Sequence, residues 1–252
     1  MTRTKFTLPL AVLLLFGCQK DDAFESEERE KNLTMAVFGG SYSVIPESEI
    51  AKNIWKEEMN ITITDYGVRG AGFSTLSSEY HIPSQIDVAC AEENPLYDVY
   101  VLWASTNDYR KCNDKAGEVF DYSVSDGYSI ASLATQCGGI NYSIAKIREK
   151  APEAKILFFS STPIFQSEKD YSVDYTGDDG FAHFVALQRQ CCEQQGVPFL
   201  DQFYDSPLTV DNWRLYFQED VLHLNEAGYR LLAVKQKEFI EKEIVNMYSS
   251  SN

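Results

Sequence analysis

Thr34-Met35-Ala36-Val37-Phe38-Gly39-Gly40-Ser41 is a short apolar run that stops at two glycines and a serine. An apolar segment of this length, closed by a turn signal, reads as a buried strand. Two consecutive glycines allow a sharp turn with little side-chain bulk, so Ser41 can project from the strand end beside free backbone N–H groups.

The chain repeats this pattern outward from Ser41. Further strands are predicted at Ile61–Asp65, Asp98–Ala104, Ala154–Ser160 and Val197–Leu200. Helices are predicted at Glu47–Met59, Ser129–Lys150, Gly180–Gln195 and Glu226–Tyr248, with Ile140, Ile144 and Ile147 as a core-facing stripe. Helix-length segments separate the strands, so right-handed crossovers predict one doubly wound α/β domain. No internal repeat is visible. Residues 105–127 and 162–179, rich in Asp, Ser, Tyr and Gly, are too long for tight connections and are expected to line a binding face.

In open parallel sheets ligands sit beyond the carboxyl ends of the strands. The second strand ends in Asp65-Tyr66-Gly67-Val68-Arg69-Gly70-Ala71-Gly72, and Thr75 stands where a dinucleotide loop would have its third glycine. A cofactor loop is therefore the weaker reading, and no cofactor is expected. The third strand ends in Trp103-Ala104-Ser105-Thr106-Asn107-Asp108, which offers a side-chain amide. Near the carboxyl end, Asp220 precedes His223 by three residues. At that spacing a carboxylate can hold imidazole Nδ1 and leave Nε2 as a base. His81 and His183 have no such partner and read as structural.

These four blocks together resemble the SGNH, or GDSL-like, hydrolase family over residues 34–248. The resemblance implies a three-layer α/β/α sandwich with a flavodoxin-like, mostly parallel five-stranded sheet. It implies Ser41 as nucleophile, His223 as base and Asp220 as its orienter. Ser41, Gly70 and Asn107 become the oxyanion donors. Three positions depart from the pattern. Gly40 replaces the Asp beside the nucleophile, Ser105 replaces a Gly, and Asp65 replaces an Asn before the oxyanion glycine.

The amino terminus is organised differently. Arg3 and Lys5 precede an apolar run from Phe6 to Gly17 that is too short to span a bilayer, the layout of an export signal. Leu15-Phe16-Gly17-Cys18 resembles the lipobox of bacterial lipoproteins, which implies cleavage after residue 17 and lipid on Cys18. Gln19-Lys20-Asp21-Asp22 resembles a surface-export tag, and the acidic residues up to 33 read as a tether. The expected order is thus signal peptide 1–17, lipidated tether 18–33 and hydrolase domain 34–252, in an exported lipoprotein of the outer membrane.

A net charge of −16 argues against binding nucleic acid or an anionic bilayer through a basic face. With three histidines and no C-x-x-C pair, a metal site is not expected. Of Cys90, Cys112, Cys137, Cys191 and Cys192, some are expected to pair in an oxidising exterior, leaving an odd thiol. The expected activity is hydrolysis of small acyl esters, acetyl above all, on carbohydrate, by a monomer. Trp213, Tyr109 and Tyr122 are candidate sugar-stacking faces. Two alternatives stay open: a non-catalytic glycan-binding lipoprotein on the same fold, and an acyltransferase.

Overall fold

The computed structural model describes residues 32–111, 116–120, 132–164, 180–209 and 211–249. The signal, lipobox and tether, with Cys18, lie outside these residues, as do Cys112 and Tyr122.

Five strands form one parallel sheet: β1 (Leu33–Gly39), β2 (Ile61–Asp65), β3 (Val99–Trp103), β4 (Lys155–Phe159) and β5 (Phe199–Leu200). Their order is β2-β1-β3-β4-β5, the flavodoxin-like arrangement. Around them run α1 (Ser41–Val44), α2 (Glu49–Met59), α3 (Ile82–Ala89), α4 (Asn107–Lys111), α5 (Gln136–Lys150), α6 (Phe181–Gln195) and α7 (Glu226–Ser249).

Strand alternation builds two cores. Met35 and Val37 of β1, Val101 and Trp103 of β3, and Leu157 and Phe159 of β4 face α2 and α7, where they meet Trp55, Tyr229 and Ile240. Ala36, Phe38, Tyr100, Leu102, Ile156 and Phe158 face the other way, onto Ile86, Ile140, Ile144 and Phe184 of α3, α5 and α6. The central strands are buried on both faces because each face carries helices, which is why they read as unbroken apolar runs.

The strand ends shift by a residue or two from expectation, and β5 pairs only at Phe199 and Leu200. Two helices start later than their periodicity suggests. Pro46–Ser48 forms a 3-10 turn ahead of α2, and Thr135 caps α5 by accepting the Gly138 N–H. Helix α3 was not expected. It is short, and the signal lies in its start: His81 Nδ1 accepts the Ser84 N–H at 3.2 Å, and Pro83 sits in the first turn. His81 therefore has a structural task. Part of the expected irregular stretch, Asn107–Lys111, is helical as well.

The cysteine expectation needs correction. Cys90, Cys137, Cys191 and Cys192 are all buried, and among the described residues no disulfide joins them. Each serves as a small apolar core residue.

Candidate active site

The registers of β1 and β3 bring Gly39 level with Trp103, so Ser41 and Asn107 leave adjacent strand ends. Gly40 is extended (φ −95°, ψ −150°), and Ser41 opens α1. As the first helical residue, Ser41 has no intrahelical acceptor for its N–H, and it finds none among the described residues. Gln85 of α3 clamps the preceding turn. Its Oε1 accepts the Gly39 N–H and its Nε2 donates to the Gly39 carbonyl, both at 3.1 Å.

His223 arrives from the loop before α7. Its Nε2 lies 2.8 Å from Ser41 Oγ and its Nδ1 lies 2.5 Å from Asp220 Oδ2. Asp220 Oδ1 also accepts the N–H groups of Leu222 and His223, at 3.0 and 2.9 Å. Burial alone would raise the Asp220 pKa, but the hydrogen bonds from His223 and Leu222 outweigh it and hold the carboxyl below its ordinary value. Val221 takes a left-handed backbone (φ 52°), an uncommon state for a β-branched residue that this tight turn imposes.

Tyr42 braces the two halves of the site. Its hydroxyl donates to the Leu222 carbonyl at 2.8 Å, and the Tyr229 hydroxyl donates to the Tyr42 carbonyl at 3.0 Å.

Gly70 sits at φ 84°, which glycine adopts without penalty, and its N–H has no acceptor among the described residues. Lys111 Nζ holds the Gly70 carbonyl at 2.7 Å and the Ser77 carbonyl at 3.1 Å. Beyond Gly70, the carboxylate of fully buried Asp108 accepts the N–H groups of Phe73 (2.9 Å) and Ser74 (2.7 Å). Burial pushes the Asp108 pKa up to about 6 despite those bonds and the nearby Lys111 charge.

Asn107 lies beside the turn, but its amide is engaged. Nδ2 donates to the Ala71 carbonyl at 2.9 Å and to Ser105 Oγ at 2.8 Å. Ser105 Oγ in turn donates to the Ala71 carbonyl at 3.2 Å. The serine that stands where the family has glycine thus competes for the candidate oxyanion donor.

The structure therefore brings Ser41, His223 and Asp220 into one hydrogen-bonded line, with Gly70 on the loop after β2 and Asn107 at the start of α4 beside the turn. It does not bear out Trp213 as a substrate contact. Trp213 is 7% exposed, packs edge-on against Phe217 and carries the Arg214 guanidinium over its ring. The Trp213 ring serves packing. Tyr109, partly exposed, meets Phe181 at a tilt and Phe184 edge-on. Tyr42, Gln85 and Lys52 escaped the sequence reading, because nothing local to those residues marks them as second partners of the site. Among the described residues, no group of three or more His, Cys, Asp or Glu is placed to hold a metal ion.

A nucleophile turn, a base held by a carboxylate and a glycine loop at the carboxyl edge of a parallel sheet define a hydrolase site. The family model for the GDSL-like Lipase/Acylhydrolase family matches residues 39–231. The chain belongs to this family and is an SGNH-type hydrolase of the esterase and lipase kind. Solved structures share the fold. A Lactobacillus plantarum protein superposes with a TM-score of 0.64 at 21% identity, covering 84% of this chain and 98% of its own. The psychrotrophic esterase EstA from a Pseudoalteromonas species gives 0.53 at 12% identity, covering 85% and 99%. No curated protein matches the sequence.

Proposed function

We propose that the protein is a serine esterase that removes small acyl groups, acetyl foremost, from carbohydrate through an acyl-enzyme. The observation that carries this reading is the continuous line from Asp220 Oδ2 through the His223 imidazole to Ser41 Oγ, with links of 2.5 and 2.8 Å.

In this mechanism Asp220 fixes the Nδ1–H tautomer of His223, leaving Nε2 to take the Ser41 proton as Oγ attacks the ester carbonyl. The negative charge that develops on the carbonyl oxygen meets the N–H groups of Ser41 and Gly70. The Asn107 amide joins them by giving up its bond to Ser105, whose hydroxyl is able to turn away. His223 then returns the proton to the departing alcohol. Water, activated by the same imidazole, attacks the acyl carbon, and the released acid leaves Ser41 free.

Two features support a short acyl group on a large carrier. The Asp220 and His223 side chains are 46% and 22% exposed, so the base lies open to a bulky alcohol. Beside Gly40, the Ala71 carbonyl, the Asn107 amide and Ser105 crowd the turn, which disfavours a long chain there. Carbohydrate as the carrier follows from the lipobox-like segment at Cys18, since an exported, tethered esterase would work on surface polymers.

A screen of acetylated glycans and 4-nitrophenyl acetate, with Ser41→Ala as control, tests the reading. Acid release that depends on Ser41, and labelling of Ser41 by a fluorophosphonate, are expected. Equal release by Ser41→Ala would overturn the proposal.

A further inference from the structure

We propose that Lys52, on α2 and away from the triad, is the positioning residue for both backbone donors of the oxyanion site. The inference rests on reading Ser41 as the nucleophile.

Lys52 is 1% exposed, although a lysine on an outer helix ordinarily reaches water. Its ammonium donates to the Ser43 carbonyl at 2.8 Å and pairs with Asp65 and Glu49. A buried ammonium is tolerated only when paired and hydrogen-bonded, and here three acceptors meet its three N–H groups. Two of those acceptors lead to the site.

The first path runs through Ser43. Its N–H and its Oγ both hold the Gly40 carbonyl, at 3.1 and 3.0 Å. That carbonyl and the Ser41 N–H belong to one planar trans peptide, so fixing the oxygen aims the N–H the opposite way. Lys52, together with Ser48 Oγ at 2.8 Å on the same Ser43 carbonyl, fixes Ser43.

The second path runs through Asp65, whose Oδ1 accepts the Gly67 N–H at 2.8 Å. Gly67 lies directly on the nucleophile turn, since a Cβ there would meet Ser43 Oγ at 2.3 Å. From Gly67 the chain passes Val68, bonded to the Gly39 carbonyl at 3.0 Å, and reaches Gly70. One ammonium therefore ties the strand end that presents Ser41 to the loop that presents Gly70. A neutral Asn at position 65 would accept from Gly67 without a cation. An Asp there carries a charge, and it pairs with the buried Lys52.

Four proteins decide the matter: wild type, Lys52→Met, Lys52→Met/Asp65→Asn and Ser41→Ala. The double variant removes the carboxylate that the single variant leaves unpaired, so it stands in if the single variant does not fold. Each is measured on 4-nitrophenyl acetate and for affinity toward phenylboronic acid, which forms a tetrahedral adduct at a serine. Loss of aim should lower kcat on the order of 10- to 100-fold. KM should stay within about threefold, and boronate affinity should fall in step with kcat/KM. The pH dependence of kcat/KM should not move, because Lys52 touches neither His223 nor Asp220. Recovery of wild-type kcat in the double variant would show that Lys52 only neutralises Asp65, and would overturn the proposal. A loss confined to KM with boronate affinity unchanged would do the same. Full activity in Ser41→Ala would instead remove the functional reading itself, a result separable from either outcome at Lys52.

Discussion

His223 Nε2 and Ser41 Oγ lie 2.8 Å apart although 182 residues separate them along the chain. The Asp220 carboxylate holds the other ring nitrogen from the same turn. Asp220→Asn puts an amide where the Nδ1–H needs an acceptor, which favours the tautomer with Nε2 protonated. We expect kcat on 4-nitrophenyl acetate to fall on the order of 10³- to 10⁴-fold. Steady-state kinetics with circular dichroism as a fold control checks this, and a fall below tenfold would assign Asp220 a lesser role.

Gly40 has no room for a side chain. A Cβ there would lie 2.5 Å from the Ala71 carbonyl oxygen, 2.8 Å from Asn107 Nδ2 and 3.0 Å from Ser105 Oγ. The nearest atom is backbone and cannot swing aside. Gly40→Ala should therefore cost about 1–3 kcal/mol of stability by overpacking. The displaced turn should also lower kcat by about 100-fold. Gly40→Asp, which restores the usual family residue, should behave no better, and a thermal melt beside the kinetics tests both.

Ser105 and Asn107 give a prediction of opposite sign. Removing the Ser105 hydroxyl frees one Nδ2 hydrogen of Asn107 from its 2.8 Å bond. Ser105→Gly should raise kcat by roughly 2- to 10-fold, up to about 1.4 kcal/mol of barrier. Stability should fall, because the Asn107 N–H loses its acceptor and glycine adds chain entropy. An unchanged or lower kcat would count against Asn107 as a donor to the oxyanion.

Asp108 makes stability depend on pH. Its folded pKa of about 6 lies above the ordinary carboxyl value of 3.8, so the folded state binds the proton more tightly. The resulting stabilisation is complete below about pH 4 and is lost as pH rises through about 6. At 1.36 kcal/mol per unit it is on the order of 3 kcal/mol. Asp108→Asn should lose this slope. Its amide would also face an N–H of Phe73 or Ser74, loosening the loop beyond Gly70. Urea melts from pH 4 to 7 on both proteins should show a declining difference confined to the wild type.

The four buried cysteines should resist a thiol reagent in the native protein. Burial and the neighbouring Cys191 push the Cys192 thiol well above its ordinary pKa, which further suppresses the reactive thiolate. Mass spectrometry after brief alkylation should find Cys90, Cys137, Cys191 and Cys192 unmodified, and all four modified in denaturant. Modification of any of them in the folded state would contradict their placement.

The sequence by itself determined the layered α/β class and the residues at the strand ends, because both are written locally. An unbroken apolar strand such as Val99–Trp103 records burial on two faces. Gly39-Gly40-Ser41 and Asp220 to His223 record a turn and a one-turn reach. Helix α3 escaped because it is short and carries its signal in a single cap. Only the tertiary structure decided what surrounds those residues, since burial and partnership arise between segments distant in the chain. Lys52 meets Asp65 and Ser43 only when the fold brings them together. Trp213 reads as a sugar platform until Phe217 and Arg214 cover it. Cys90, Cys137, Cys191 and Cys192 read as disulfide partners until one apolar core takes all four. A residue type states which bonds a side chain is able to make, and the packed fold selects which of them it does make.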